Sequence, residues 1–161
     1  MNTRFQNKVA VITGAAQGIG RRVAERFVEE GGRLVAVDRS ELVHELADQL
    51  GQGAEVLTLT ADLEQFADCH RVMDAAKERF GRLDILVNNA GVQHVSPIEE
   101  FDPARFSLLL QLMLEAPFLL TRAALPGMYE RGFGRIINMS SVHGLRASPF
   151  KAAYVAAKHG I

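Results

Sequence analysis

Short apolar runs alternate with longer amphipathic stretches along most of this chain. Five runs read as strands: Lys8–Thr13 (KVAVIT), Arg33–Asp38 (RLVAVD), Glu55–Thr60 (EVLTLT), Leu83–Asn88 (LDILVN) and Gly134–Ser140 (GRIINMS). Between them, apolar residues recur at helical spacing. A first helix is expected over Gly18–Glu30, with Ile19, Val23, Phe27 and Val28 as its apolar stripe and two glycines, Gly31 and Gly32, as its stop. Further helices are expected over Glu41–Leu50, Glu64–Phe80 and Pro103–Arg131, the last disturbed near Pro117, and a final one begins near Lys151. Strands alternating with helices predict βαβ units, and so an α/β fold with a parallel sheet covered on both faces. Right-handed crossovers make that sheet doubly wound and put its ligand crevice at the carboxyl ends of the strands.

Composition narrows the setting. The 161 residues are 48% hydrophobic, enough for one domain with its own core. A net charge of -1 gives no bulk attraction to nucleic acid or to a membrane surface, and neither is expected as a partner. The one cysteine, Cys69, excludes an intrachain disulfide and suits a cytoplasmic protein. No segment reads as a signal peptide or as the roughly 18 apolar residues of a membrane span. The five histidines show no ligand-spaced cluster with carboxylates or thiols, so no metal is expected.

The polar and glycine-rich motifs all fall at predicted strand ends. Thr13-Gly-Ala-Ala-Gln-Gly-Ile-Gly20 joins the first strand to the first helix. Gly14 permits a tight turn; Gly18 and Gly20 let backbone and helix N-terminus approach a pyrophosphate. Asp38 ends the second strand, where a carboxylate accepts from both ribose hydroxyls of an adenosine and repels a 2′-phosphate. That favours NAD over NADP, although Arg39 blunts the repulsion. Asp62 and Leu63 follow the third strand, where an adenine would lie. Asn89, Ala90 and Gly91 follow the fourth, with small residues suited to a flat ligand. Each has an ordinary alternative: a plain βα turn, a strand-end cap, a turn carboxylate, a polar pair that satisfies backbone groups. Tyr154 and Lys158 lie four apart and share a helix face. An ammonium beside a phenol favours the phenolate, so this pair suits proton abstraction near neutral pH. Ser141, thirteen residues before Tyr154, offers a hydroxyl to the same reacting oxygen.

In this order and spacing, TGAAQGIG, NNAG, a strand ending in MSS and YVAAK resemble the short-chain dehydrogenase/reductase family over the whole chain. The resemblance implies a Rossmann-like fold and hydride transfer between NAD(P) and an alcohol or carbonyl. It implies Tyr154 as general base or acid, with Lys158 lowering the tyrosine pKa and binding the nicotinamide ribose. Ser141 would bind the substrate oxygen. The cofactor would be NAD, lined by Thr13, Gly14, Gln17, Gly18, Ile19, Gly20, Asp38, Asp62, Leu63, Asn89, Ala90 and Gly91 together with Tyr154 and Lys158.

A narrower resemblance, through residues 89–100 and 141–160, is to the D-3-hydroxybutyrate dehydrogenases. It implies Gln93, His143 and Lys151 as holders of a small substrate carboxylate, and oxidation of (R)-3-hydroxybutyrate to acetoacetate. The alternatives are another dehydrogenase of the family, acting on a different hydroxy acid or small alcohol, and a non-catalytic NAD-binding fragment. Two departures stand out. Met113 occupies the place of an asparagine that serves a proton relay in many members. The chain also stops early in the Tyr/Lys helix, so a dehydrogenase domain over residues 1–161 that is incomplete at its C-terminus is expected, poorly soluble or incompletely folded by itself. By family analogy the whole enzyme would be a homo-oligomer, a tetramer.

Overall fold

The computed structural model describes residues 3–51 and 53–161. Five strands, β1 (Val9–Thr13), β2 (Arg33–Asp38), β3 (Val56–Thr60), β4 (Ile85–Asn88) and β5 (Arg135–Asn138), form one parallel sheet in the order β3-β2-β1-β4-β5. The order reverses between β1 and β4, which opens a crevice at their carboxyl ends. The doubly wound Rossmann-like reading therefore holds, with β5 at the sheet edge.

Strand alternation builds two cores. Val9 and Val11 of β1 point to one face with Val35 and Val37, while Ala10 and Ile12 point to the other with Leu34 and Ala36. The first face is covered by α3 (Phe66–Phe80), α5 (Ala116–Glu130) and α6 (Ala152–Gly160). The second is covered by α1 (Gly18–Glu29) and α2 (Glu45–Leu50). An apolar hollow of about 360 Å³ stays open on this second face, between α1 and Ile85, Val87 and Ile137.

Several boundaries move for identifiable reasons. Of the expected α1 stripe, Phe27 is buried and Val28 packs against the core, whereas Gly20 and Ala24 take the places expected of Ile19 and Val23. Small residues let the helix sit close on β1, so bulky Ile19 and Val23 are left at its flanks, exposed. Residues 41–44 form a 3₁₀ turn before α2, capped by the Ser40 hydroxyl, which accepts from the Leu42 N–H. Glu64 and Gln65 precede α3, because Asp62 accepts from the Glu64 N–H and holds a turn there. The long helix divides into α4 (Pro103–Leu110), a π turn (Gln111–Glu115) and α5. Pro117 has no N–H for the carbonyl four residues back, and the chain widens at that point. Contrary to expectation, this helical stretch, Pro103–Glu130, is long and apolar enough by composition to cross a membrane. Here Leu109, Leu112, Met113, Ala116 and Leu120 bury their side chains in the core.

Asp84 ties the amino ends of the central strands together. Its Oδ2 accepts from the Val9 N–H at 2.9 Å, and Arg82 grips both oxygens at 2.7–3.2 Å. Burial alone would raise this carboxyl. The hydrogen bonds from Arg82 and Val9, with the charges of Arg82 and Lys8, outweigh it and hold the group below the ordinary aspartate range. A depressed folded-state pKa contributes stability above the unfolded-state value of about 3.9, lost as pH falls through the lower folded-state value. Urea midpoints measured across pH should therefore fall more steeply below about pH 4 for the natural sequence than for Asp84→Asn. Parallel profiles would rule out this role.

Candidate active site

The crevice holds two adjoining hollows. The longer, of about 360 Å³, runs from Asp38, Asp62 and Leu63 past Gly14, Gln17, Gly18 and Ile19 to Asn89, Ala90 and Gly91. The second, of about 250 Å³, shares Ile19, Asn89 and Gly91 with it and adds Gln93, Tyr154 and Lys158. The topology thus brings motifs separated by more than a hundred residues into one continuous cleft.

Two of the cofactor-motif residues do not line it. Thr13 is buried; its hydroxyl donates to the Val87 carbonyl and accepts from the N–H groups of Asn89 and Ala90. Gly20 is also buried, and a Cβ there would overlap the Gly14 carbonyl oxygen and the Asn89 amide. Asn89 Nδ2 donates to the Thr13 and Gly14 carbonyls at 3.0 and 3.2 Å. Thr13 and Gly20 thus shape the loop without facing the cavity, whereas Asn89 both braces the loop and lines the cavity. Gly20 was expected to admit a pyrophosphate; it instead admits the Gly14 carbonyl.

The cavity suits a dinucleotide. The start of α1 has no acidic residue in its first turn, and Gln17 makes no side-chain cap. Its free N–H groups and positive dipole end therefore remain for an anion. At the other end, Asp38 accepts from the Ala16 and Ser40 N–H groups, both at 3.0 Å, so the carboxylate is aimed by the backbone. Glu64 also lines this end. Burial, then the nearby Asp62 charge, raises its carboxyl above the ordinary range against the opposing charges of Arg39 and Arg105. Cys69 lies behind the cavity wall, where burial pushes its thiol up to about 11, so it is no nucleophile. Among the described residues, no three His, Cys, Asp or Glu side chains are grouped to hold a metal ion.

At the second hollow, α6 presents Tyr154 and Lys158. Lys158 is 7% exposed, its Nζ donates to the Met139 carbonyl at 2.6 Å, and it stands 5.7 Å from the Tyr154 ring centroid. Burial lowers its pKa from the ordinary lysine value. Met113 is buried, its thioether packed toward Gly91, and it offers no amide to a relay.

The two serines after β5 differ. Ser140 donates to the Lys158 carbonyl at 3.0 Å, which commits its proton. Ser141 accepts from the His143 N–H at 3.2 Å, and its own proton stays available. The turn that Ser141 caps places the His143 ring edge-on to Tyr154, 5.9 Å between centroids. His143 Nδ1 faces the Arg146 carbonyl at 3.2 Å and Nε2 faces Lys151 Nζ at 3.3 Å. A ring protonated on Nδ1 satisfies both contacts. Lys151 and His143 thus act as one unit beside the tyrosine, with the lysine as its cation. Gln93 uses its Oε1 to accept from the His94 N–H at 3.2 Å, leaving its amide protons free.

Sequence reasoning missed the buried methionine shelf under Gly91, the division of labour between the serines, and Glu64. Glu64 had a signal, since it lies two residues past Asp62.

The sequence model of the family described as short chain dehydrogenase matches residues 8–161. The chain is 59% identical over 156 residues to a 1,6-dihydroxycyclohexa-2,4-diene-1-carboxylate dehydrogenase of Pseudomonas putida, covering 95% of this chain and 58% of that protein. It is 45% identical over 160 residues to a D-beta-hydroxybutyrate dehydrogenase of Cupriavidus necator, covering 98% and 62%. A protein of the same name from Rhizobium meliloti is 43% identical over 159 residues, covering 96% and 61%. The chain thus spans 58–62% of the length of these curated relatives.

Proposed function

Since the chain belongs to the short-chain dehydrogenase family, we propose that the whole protein oxidises, reversibly, a hydroxyl on the carbon β to a carboxylate, with NAD as cofactor and (R)-3-hydroxybutyrate as substrate. The observation that carries this reading is the Lys151–His143 unit beside Tyr154. An ammonium fixed one imidazole away from the proton acceptor suits a small hydroxy acid whose charge sits a short chain away from its hydroxyl.

A second substrate has its own support in the 59% identity to the diene-carboxylate dehydrogenase. In the compound named there, the hydroxyl on ring carbon 6 is also β to the carboxylate on carbon 1. The two relatives' names therefore share one arrangement of hydroxyl and carboxylate, which one cation and one tyrosine can read.

The residues divide the work as follows. Lys151 holds the carboxylate, and His143 positions Lys151. Gln93, which lines the second hollow, supplies amide donors. Ser141 donates its free proton to the reacting oxygen, and Tyr154 takes the hydroxyl proton. Lys158, bonded to the Met139 carbonyl, holds a positive charge where the phenolate develops. Asp38 receives the ribose hydroxyls. A bound nicotinamide ring supplies the hydride acceptor. Without an amide at Met113, proton exchange with solvent passes through the open side of the second hollow. The same reading carries a cytoplasmic homo-oligomer, a tetramer by family analogy.

The test is Lys151→Ala, assayed with 3-hydroxybutyrate and with the cyclic diol carboxylate. KM should rise roughly tenfold to a hundredfold for whichever is the substrate, with kcat changed less, because a charge-assisted hydrogen bond made in the ground state is lost. An unchanged KM for both would end the carboxylate reading.

A further inference from the structure

Three carboxylates line the adenosine end of the long cavity: Asp38, Asp62 and Glu64. Among the described residues lining it, Arg39 is the one cation. Two of the acids are already engaged by backbone. Asp38 accepts from Ala16 and Ser40, and Asp62 Oδ1 accepts from the Glu64 N–H at 3.1 Å. Glu64 is different. Its Oε1 is buried and accepts no hydrogen bond, and its ion-pair partner is Arg39, with Nη1 3.8 Å away. The arginine itself reaches across from an exposed position, 64% accessible against 14% for the glutamate.

We propose that Glu64 is a selectivity residue: it draws Arg39 to the cavity wall and so denies a 2′-phosphorylated dinucleotide the one guanidinium among the described residues that line the cavity. The inference rests on the cofactor reading above and extends it to a residue two positions beyond Asp62. A 2′-phosphate brings about two negative charges and calls for a guanidinium whose paired N–H groups are free. Here that guanidinium is drawn by charge toward Glu64, 3.8 Å away, and the phosphate would meet three carboxylates. Arg39 directly follows Asp38 and by itself weakens the preference for NAD; Glu64 restores it.

The test is a double-mutant cycle read by direct binding, not by turnover. NAD and NADP are titrated by calorimetry into the natural sequence, Glu64→Gln, Arg39→Ala and the double variant, with urea midpoints to confirm that each is folded. Glu64→Gln keeps the side chain's shape and should shift the ratio of NADP to NAD affinity about tenfold toward NADP. Arg39→Ala alone should leave the ratio nearly unchanged, and the double variant should lose the gain. An unshifted ratio in Glu64→Gln overturns the proposal, as does a gain that survives removal of Arg39. If NAD binds with a flat response, only this inference fails. If the natural sequence binds neither dinucleotide, the cofactor reading fails and takes the inference with it.

Discussion

Replacing Tyr154 by phenylalanine is expected to lower kcat by about a thousandfold while the fold and dinucleotide affinity persist. Phenylalanine keeps the ring that stands edge-on to His143 and beside the Lys158 amine, so α6 has no packing reason to move. It removes one oxygen, and among the side chains of the second hollow that oxygen is the one suited to take a proton from an alcohol. Ser140 has committed its proton to the Lys158 carbonyl. Lys158, held against the Met139 carbonyl, is a fixed cation rather than a base. Steady-state rates with 3-hydroxybutyrate, paired with an NAD titration and a urea midpoint, separate the cases. Turnover within tenfold of the natural protein would reject Tyr154 as proton acceptor, and a lost midpoint would assign it to packing.

Gly20→Ala is expected to cost about 3 kcal/mol of stability and to abolish dinucleotide binding, although Gly20 does not face the cavity. Its added methyl would overlap the Gly14 carbonyl and the Asn89 amide, which are backbone and a side chain already tied by two hydrogen bonds. Neither can yield without moving β4 away from the glycine loop. Gly18→Ala is the informative contrast. A Cβ at Gly18 meets nothing within 4 Å, and the cost is the strain of its positive φ of 59°, about 1 kcal/mol. Urea unfolding of the two variants checks the ordering. Equal losses would mean that the loop relaxes around Gly20.

Much of this was legible in one dimension. Period-two alternation in β1 and β2 is a local property, and it survives folding as two separate cores. The strand-end motifs were legible because a parallel sheet sends every strand's carboxyl end to the same side. Pro117 announced the break in the long helix because a missing N–H acts on its own turn. Other features depended on partners distant in sequence. In α1 Phe27 and Val28 face the core as expected, but Ile19 and Val23 do not, because size rather than hydrophobicity chose Gly20 and Ala24 for the close contact with Gly14 and β1. The Pro103–Glu130 stretch is apolar enough for a membrane, and only its packing on the sheet shows what its apolar residues cover.

The sequence by itself therefore determined the order and type of the elements, the placing of the glycine loop, Asp38, Asn89 and the Tyr154/Lys158 pair at one edge, and the family. Those follow from local periodicity and from motif order. Tertiary structure alone decided which serine keeps its proton, that Lys151 and His143 act as one unit, that Gly20 serves the loop rather than a ligand, and that Glu64 faces Arg39. Each of those depends on distances between side chains far apart in the chain, and such distances exist only once the sheet has brought them together.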